Sequence, residues 1–509
     1  MNKNSKMYFS ILTAWVILLY FSLPELLAKI NSEIYKNNFQ IAFLLTANVI
    51  FISYFWLNGM KDIFYVFLFH KFQNKWLGEE KKSIQDVIEP FSTETKVALI
   101  YTTKDDFDES SLLICSKQDF KNCHVYILDD STQTEYIKRI DDFVKSRMKF
   151  SVIRRTHHTG FKAGNLNSFL KDHCDEFEYF VILDSDEIIP HNFVDIALKY
   201  FFINSKLGIL QANHVATRNV NRFMRTFYVG VNCHWPTYQK VKEKYGFLSF
   251  LGHGAMISSN CYKRVGKFPE LVAEDLCFSI LAKKRGFDIS FSRLITCEEE
   301  FPIDYRSFKI RHYKWTLGNF ELMRKFSKEI FLTKQLKWFE KIDVFLFTYN
   351  LPLTFVFFNF LVINILILPL LGCPAQYPLW LLIPTVIFLF SPMFNDIIIL
   401  FPMYKFWKMI KYCLLMFLLY GSLFWISLYA AILSFFGKKA YFYVTPKTYL
   451  KLKRIDKIKN NWQEISFGMI LLFVTLIVNH SCWPSILIVI PSLSGYFLDG
   501  LSDYGKFYN

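Results

Sequence analysis

Seven apolar runs, each near the ~20 residues that cross a hydrocarbon layer, bracket one long polar stretch of this chain. Two come first, at 7–28 and 39–60. Five follow, at 346–371, 379–400, 410–436, 465–481 and 484–498. The composition agrees: 52% of residues are hydrophobic and 20% charged, where soluble chains usually carry about 45–50% and about 25%. A mean hydropathy of +0.21 over 509 residues excludes disorder and argues against a purely cytosolic enzyme. The chain reads as a membrane protein with a soluble insert.

The net charge of +15 comes from basic residues that flank the apolar runs. That placement suits cytoplasmic loops facing anionic lipid, or a site for a polyanion such as a nucleotide diphosphate. It does not suit nucleic acid, which would want a basic soluble domain. The ten cysteines are scattered singly with no Cys-x-x-Cys, so neither a zinc knuckle nor a disulfide framework is expected. The first run lacks a small-residue cleavage site, so no cleavable leader is expected.

From about 91 to 300, short β-type runs (VALIYT, HVYILDD, KFSVIRR, YFVILDSD, LGILQANH) alternate with helical stretches. That alternation predicts a largely parallel, doubly wound sheet with its ligand at the carboxyl ends of the strands. Lysines at 61, 71, 75, 81 and 82 place the flank before it inside. If all five later runs crossed, the Lys- and Arg-rich segment 437–460 would lie outside, against the positive-inside tendency. Lys405, Lys408 and Lys411 beside Trp407 and Tyr412 make 404–436 the run to withdraw, as an interfacial helix. The expected organisation is two transmembrane helices over 1–60, a linker over 61–90 and an α/β domain over 91–305. Interfacial helices over 306–345, a transmembrane hairpin over 346–400 and the interfacial helix 404–436 follow. A basic segment over 437–460 and a last hairpin over 465–500 complete six spans.

Four constellations carry chemistry. HVYILDD ends in Asp129 and Asp130, which can accept from a ribose or base edge, or simply cap a helix. YFVILDSDEIIP puts Asp184 and Asp186 at a strand's rim, on one side by the period of two. A hard divalent cation takes such carboxylates, with phosphate oxygens filling its other positions. Between them GFKAGNLNSFL offers Lys162 between Gly160 and Gly164, with Asn165 and Asn167 as caps of the next helix. Third, Glu274 and Asp275 open an amphipathic helix. Glycosyl transfer needs a carboxylate to take the acceptor's hydroxyl proton, although acidic residues also favour a helix start by themselves. Fourth, KIRHYKWTLGNF carries Arg311, Lys314 and Trp315, able to neutralise a departing pyrophosphate and to stack on a sugar, or to form a membrane-surface belt.

Taken in order, these elements resemble the family 2 processive glycosyltransferases, above all cellulose synthases. Those carry an acidic strand end, an Asp-x-Asp, a Thr-Glu-Asp and a Gln-x-x-Arg-Trp. Here the counterparts are Asp129-Asp130, Asp184-Ser185-Asp186, Ala273-Glu274-Asp275 and Arg311-His312-Tyr313-Lys314-Trp315. GFKAGNLN, Gln211-Ala212-Asn213-His214 and Phe442-Tyr443-Val444-Thr445-Pro446-Lys447 extend the likeness; the last resembles the family's cytoplasmic gating loop. Ala273, Arg311 and Lys314 depart from the pattern, and Lys for Arg gives up bidentate contact to phosphate.

The resemblance implies a GT-A-like α/β nucleotide-sugar-binding domain inserted in an α-helical transmembrane bundle. It implies a processive, inverting β-glycosyltransferase polymerising UDP-glucose into a cell-surface or capsular glucan, branched through β-1,3 and β-1,2 linkages, and passing it through its own channel. Asp275, helped by Glu274, would be the base; Asp186 and Asp184 would hold Mg²⁺ or Mn²⁺. Thr102, Asp129, Asp130, Lys162, Asp184, Arg311, Lys314, Thr445 and Lys447 would bind the nucleotide sugar. Trp315 and His253 would hold the acceptor. The expected partners are a UDP-sugar, the growing polysaccharide and membrane lipids, with no obligatory protein partner, at the plasma membrane with the catalytic domain cytoplasmic. The rival readings are a non-processive lipid-phosphate glycosyltransferase and a non-catalytic transporter.

Overall fold

The computed structural model describes residues 5–87, 94–217, 221–351, 353–374, 377–441 and 452–503. The five β-type runs form strands: β1 Val97–Thr103, β2 Cys123–Asp129, β3 Phe150–Ile153, β4 Tyr179–Leu183 and β5 Leu207–Ala216. Two more, β6 Ala255–Ser258 and β7 Asp288–Glu299, complete a seven-stranded sheet of order β3-β2-β1-β4-β6-β5-β7. β1, β2, β3 and β4 pair in parallel, as do β5 and β7, whereas β6 runs antiparallel to both β4 and β5. The sheet is therefore mixed. β6 reverses because the chain enters it from a glycine loop at the carboxyl end of β4, where Gly254 N donates to Ile182 O. This is the α/β domain that the alternation of strands and helices predicts.

Alternate residues of the central strands feed two cores. Leu99, Val125, Ile127 and Val181 pack on one face, and Ile100, Leu128, Phe180 and Ile182 on the other. A sheet covered on both faces needs such near-continuous apolar strands, and only their ends are left to meet solvent or ligand.

The helix Phe39–Gln85 runs unbroken for 47 residues, roughly 70 Å at 1.5 Å per residue. The expected linker is therefore, as far as Gln85, a continuation of the second apolar run; no proline interrupts it. Among the described residues, five helices are long and apolar enough to cross a membrane: Ser5–Ser22, Phe39–Gln85, Phe406–Phe435, Arg454–Asn479 and Ile486–Asp503. A sixth arises if Leu379–Leu389 and Ser391–Leu400, bent by 58°, count as one. Pro392 explains the bend, since it cannot donate back to the preceding turn. This set differs from the expected one at two places. The run 346–371 yields a shorter helix, Thr354–Leu370, and 404–436 yields one with the length and composition of a span. The gating segment, with Thr445 and Lys447, falls within residues 442–451 and lies outside the described residues.

Candidate active site

Strand register builds the site. β1 pairs with β4 so that Tyr101 faces Leu183, which sets Thr102 beside Asp184; Thr102 Oγ1 donates to Asp184 Oδ1 at 3.4 Å and to Leu183 O at 3.0 Å. β2 pairs with β3 so that Leu128 faces Ile153, which sets two arginines opposite two aspartates. Arg154 Nε donates to Asp129 Oδ2 at 2.7 Å, and Arg155 forks onto Asp130 at 2.8 and 2.5 Å. Asp130 lines a cavity of about 1650 Å³ at these strand ends. Asp129 does not: its side chain is fully buried, with Ser131 N and Arg154 as its donors.

The same cavity is lined by Thr102, Lys162, Asp184, Asp186, His253, Glu274, Asp275, Arg311, Lys314 and Trp315. β4 ends at Leu183, so Asp184 and Asp186 face the cavity from a turn and not by strand alternation. The turn is buttressed by Ser185, whose hydroxyl donates to Asp106 at 2.6 Å and whose carbonyl accepts from Tyr101 at 3.0 Å. Two carboxylates facing the cavity form an oxygen-only donor set, which fits a hard divalent cation with positions left for phosphate.

Lys162 lies in the first turn of the helix Phe161–His173, which starts at Gly160 in the left-handed region (φ 71°). Its ammonium is paired with Asp184 and donates to Gly252 O at 2.9 Å. Burial works against that charge, but Asp184 and Glu274 outweigh it and raise the lysine above its ordinary value. Asn165 and Asn167 fall inside this helix, not at its cap. Asn165 donates to Leu128 O, and Asn167 accepts from Phe268 N at 2.8 Å.

Glu274 and Asp275 open the helix Glu274–Lys284, and Asp275 Oδ1 accepts from Leu276 N at 2.7 Å. Burial lifts both carboxyls, Glu274 to about 8 with Asp275 beside it adding to the effect. His253, expected beside the acceptor, is grouped instead with the Asp184 turn. Its Nδ1 lies 3.2 Å from Glu187 Oε1 and its Nε2 lies 4.0 Å from Asp184 Oδ2. Burial opposes its charge, yet Glu187, Asp184 and Glu299 together lift it to about 10. Gly254 makes this cluster possible: a Cβ there would collide with Glu187 and His214, and its φ of 57° suits glycine.

Arg311, Lys314 and Trp315 share the helix Tyr305–Leu332. The Arg311 guanidinium lies over Trp315 at 4.7 Å and over Phe308 at 5.1 Å. Desolvation lowers Lys314 to about 8, with Asp184 and Glu274 pulling the other way. Residues 179–444, just over half of the chain, match the family described as glycosyl transferase family group 2.

The chain belongs to that family. Among curated relatives it is 23% identical over 271 residues to glucomannan 4-beta-mannosyltransferase 1 of Cyamopsis tetragonoloba, covering 50% of this chain and 52% of the relative. To glucomannan 4-beta-mannosyltransferase 2 of Arabidopsis thaliana it is 25% identical over 283 residues, covering 52% of each. The chain spans about half the length of these relatives. A solved mannosyltransferase of Pyrobaculum calidifontis, in complex with GDP-Man and Mn²⁺, aligns with a TM-score of 0.48 at 17% identity, over 76% of this chain and 99% of that one.

Sequence reasoning missed Arg154 and Arg155 as the partners of the acidic strand end. The signal was the Arg-Arg closing the third β-type run, matched in phase to Asp129-Asp130. It also missed that His214 meets Glu187 and Glu299, because that meeting depends on β5 and β7 lying side by side.

Proposed function

We propose that this protein is a processive, inverting β-glycosyltransferase. It draws a hexose from a nucleoside diphosphate, UDP-glucose first, and threads the growing polysaccharide along its own helices. The observation that carries the reading is the continuity of one cavity. Its lining runs from Asp130 and Asp184 at the strand ends, and Asp275 at the start of its helix, to Asn364, Tyr377 and Trp483 among the apolar helices. A transferase that loads a single sugar has no need of so long a passage, and a transporter has no need of the carboxylates at its mouth. The apolar helices and the basic flanks support a multi-pass protein of the plasma membrane with the sheet domain cytoplasmic.

In this reading Asp275 takes the proton of the acceptor hydroxyl as that oxygen attacks the anomeric carbon. The bond to the diphosphate breaks on the opposite face, so an α-linked donor gives a β-glycoside. Lys162, Arg311 and Lys314 hold the departing diphosphate, Thr102 and Asp130 orient the nucleotide, and Trp315 stacks on the acceptor end. Asp184 and Asp186 hold Mg²⁺ or Mn²⁺, which when bound supplies Lewis-acid neutralisation of the leaving group.

The relatives' names favour a second donor, since both are mannosyltransferases. The test supplies membrane vesicles with one labelled donor at a time, UDP-glucose or GDP-mannose, with Mn²⁺, Mg²⁺ or EDTA. Long polymer from UDP-glucose is expected, and EDTA should abolish it. Polymer from GDP-mannose alone overturns the donor, single-sugar products overturn processivity, and EDTA-resistant synthesis overturns the cation role of Asp184 and Asp186.

A further inference from the structure

His253 stands at the turn of Asp184 and Asp186 without a place in the transfer chemistry. Its loop sets it there. Gly252 and Gly254, on either side of it, take φ of 94° and 57°. Both are tied down: Gly252 O accepts from Lys162, and Gly254 N donates to Ile182 O at 2.9 Å and to Glu187 Oε2 at 3.0 Å. His253 thereby lines the cavity beside the two aspartates.

The two ring nitrogens face different partners. Nδ1 lies 3.2 Å from Glu187 Oε1, and neither atom makes a hydrogen bond elsewhere among the described residues. Glu187 is itself fixed to the turn, since its Oε2 also accepts from Asp184 N at 3.4 Å. Nε2 points the other way, 4.0 Å from Asp184 Oδ2 and 3.7 Å from Glu299 Oε2. Lys162 and Thr102 meet Asp184 at Oδ1, and Oδ2 is the oxygen nearest the imidazole. Two atoms that share a cation at about 2.1 Å each stand at most about 4.2 Å apart, a limit that Nε2 and Oδ2 satisfy. A carboxylate behind one nitrogen is also how histidine ligates metal, since it keeps a proton on that nitrogen and leaves the other to the ion. With no metal bound, the carboxylates around Nε2 draw a proton there, and a divalent cation competes for the same lone pair.

We infer that His253 gives a nitrogen ligand, through Nε2, to the divalent cation that Asp184 and Asp186 hold. The inference rests on the cation role proposed for those aspartates. Carboxylates alone suit Mg²⁺ as well as Mn²⁺, whereas imidazole favours a transition metal over Mg²⁺. His253 therefore biases the site toward Mn²⁺.

The test loads the detergent-solubilised protein with Mn²⁺ and UDP, and in parallel with Mn²⁺ and GDP, with no sugar donor and hence no turnover. Electron spin echo of the bound Mn²⁺ should show coupling to a histidine nitrogen, assigned by isotope-labelled histidine. His253→Gln should lose that coupling and narrow the preference for Mn²⁺ over Mg²⁺. It should also raise the Mn²⁺ dissociation constant by about tenfold to a hundredfold, the scale of losing a group that holds or orients a metal ligand. A histidine that only neutralises Glu187 and Glu299 gives no coupling in the wild type. If His253→Gln fails to accumulate, the wild type decides alone, because among the described residues His253 is the histidine with a ring nitrogen within 4.0 Å of Asp184. Bound Mn²⁺ without histidine coupling, or coupling that persists in His253→Gln, overturns the ligand. If Mn²⁺ binds wild type and Asp186→Ala equally, the aspartate site itself has failed and the inference falls with it.

Discussion

The two walls of the cavity are built on opposite principles. At the strand ends charges lean on one another: Asp129 on Arg154, Asp130 on Arg155, Asp184 on Lys162, His253 on Glu187. Along the helices the wall is largely aromatic, and its neutral polar groups pair with one another, as Asn364 does with Asn48 and Tyr377 and as Trp56 does with Thr385. The difference teaches what each end must do. A diphosphate leaving group needs counter-charge fixed before the reaction, because preorganised dipoles and ions cost nothing to reorient in the transition state. A polymer that advances one unit at a time needs contacts that can be broken and remade, which neutral hydrogen bonds and ring faces provide.

The largest expected effect is at the charged wall. Asp275→Asn keeps shape but cannot accept a proton, so polymer synthesis should fall by about 10²–10⁴ while donor binding survives. Nucleotide release and donor affinity, measured together, check this; near-normal synthesis removes Asp275 from the chemistry. The pH profile sharpens it. Burial raises the Asp275 carboxyl, so its reactive, unprotonated form gains population only as pH climbs above the ordinary carboxylate range. The acid limb of the rate should therefore lie above that range, and the residual activity of Asp275→Asn should lack it. A smaller effect is expected where the gating segment would close over the charged wall. Thr445→Ala with Lys447→Ala should cut synthesis by about tenfold to a hundredfold, the scale of losing a charge-assisted hydrogen bond to phosphate. Equal yield at equal expression would leave the charged wall complete without that segment.

Much of the charged wall was legible in the sequence, because Asp184 and Asp186 follow an apolar β run and Asp275 opens a helix, and the end of an element is a fixed place. Asp184, Asp186 and Asp275 all reach the cavity. Asp129 does not, since adjacent residues on a strand point to opposite faces and the sequence alone left both open. The antiparallel β6 was hidden because its four residues follow a glycine loop with no crossover helix to announce direction. The neutral wall was not legible at all. Asn48 and Trp56 lie in one apolar run and Asn364 and Thr385 in two others far along the chain, so only packing brings them together. The span set shifted for a related reason: hydropathy weighs residues, whereas Pro392 and the short helix Thr354–Leu370 decide where a helix can continue.

The smallest expected effect lies where the two walls meet, on the helix Tyr305–Leu332, and it tests whether Trp315 works by position. That helix is fastened to the helix Phe424–Phe435 by His312, whose Nε2 lies 2.7 Å from Ser427 Oγ, and by Tyr313 stacked on Tyr429 at 6.4 Å. Desolvation holds His312 down at about 4, with Arg311 adding to the effect, so the imidazole is neutral at working pH and the contact is an ordinary hydrogen bond. Ser427 itself lines the cavity but carries no charge to lend to phosphate. Ser427→Ala removes the bond and leaves a buried imidazole nitrogen unpaired, at a cost of about 1–3 kcal/mol. If Trp315 needs this anchor, the apparent KM for an added oligosaccharide acceptor should rise by about twofold to tenfold while the KM for donor stays put. A rise in both would mean that the whole Tyr305–Leu332 helix, Arg311 and Lys314 included, moves as one body and that the walls are not separable there.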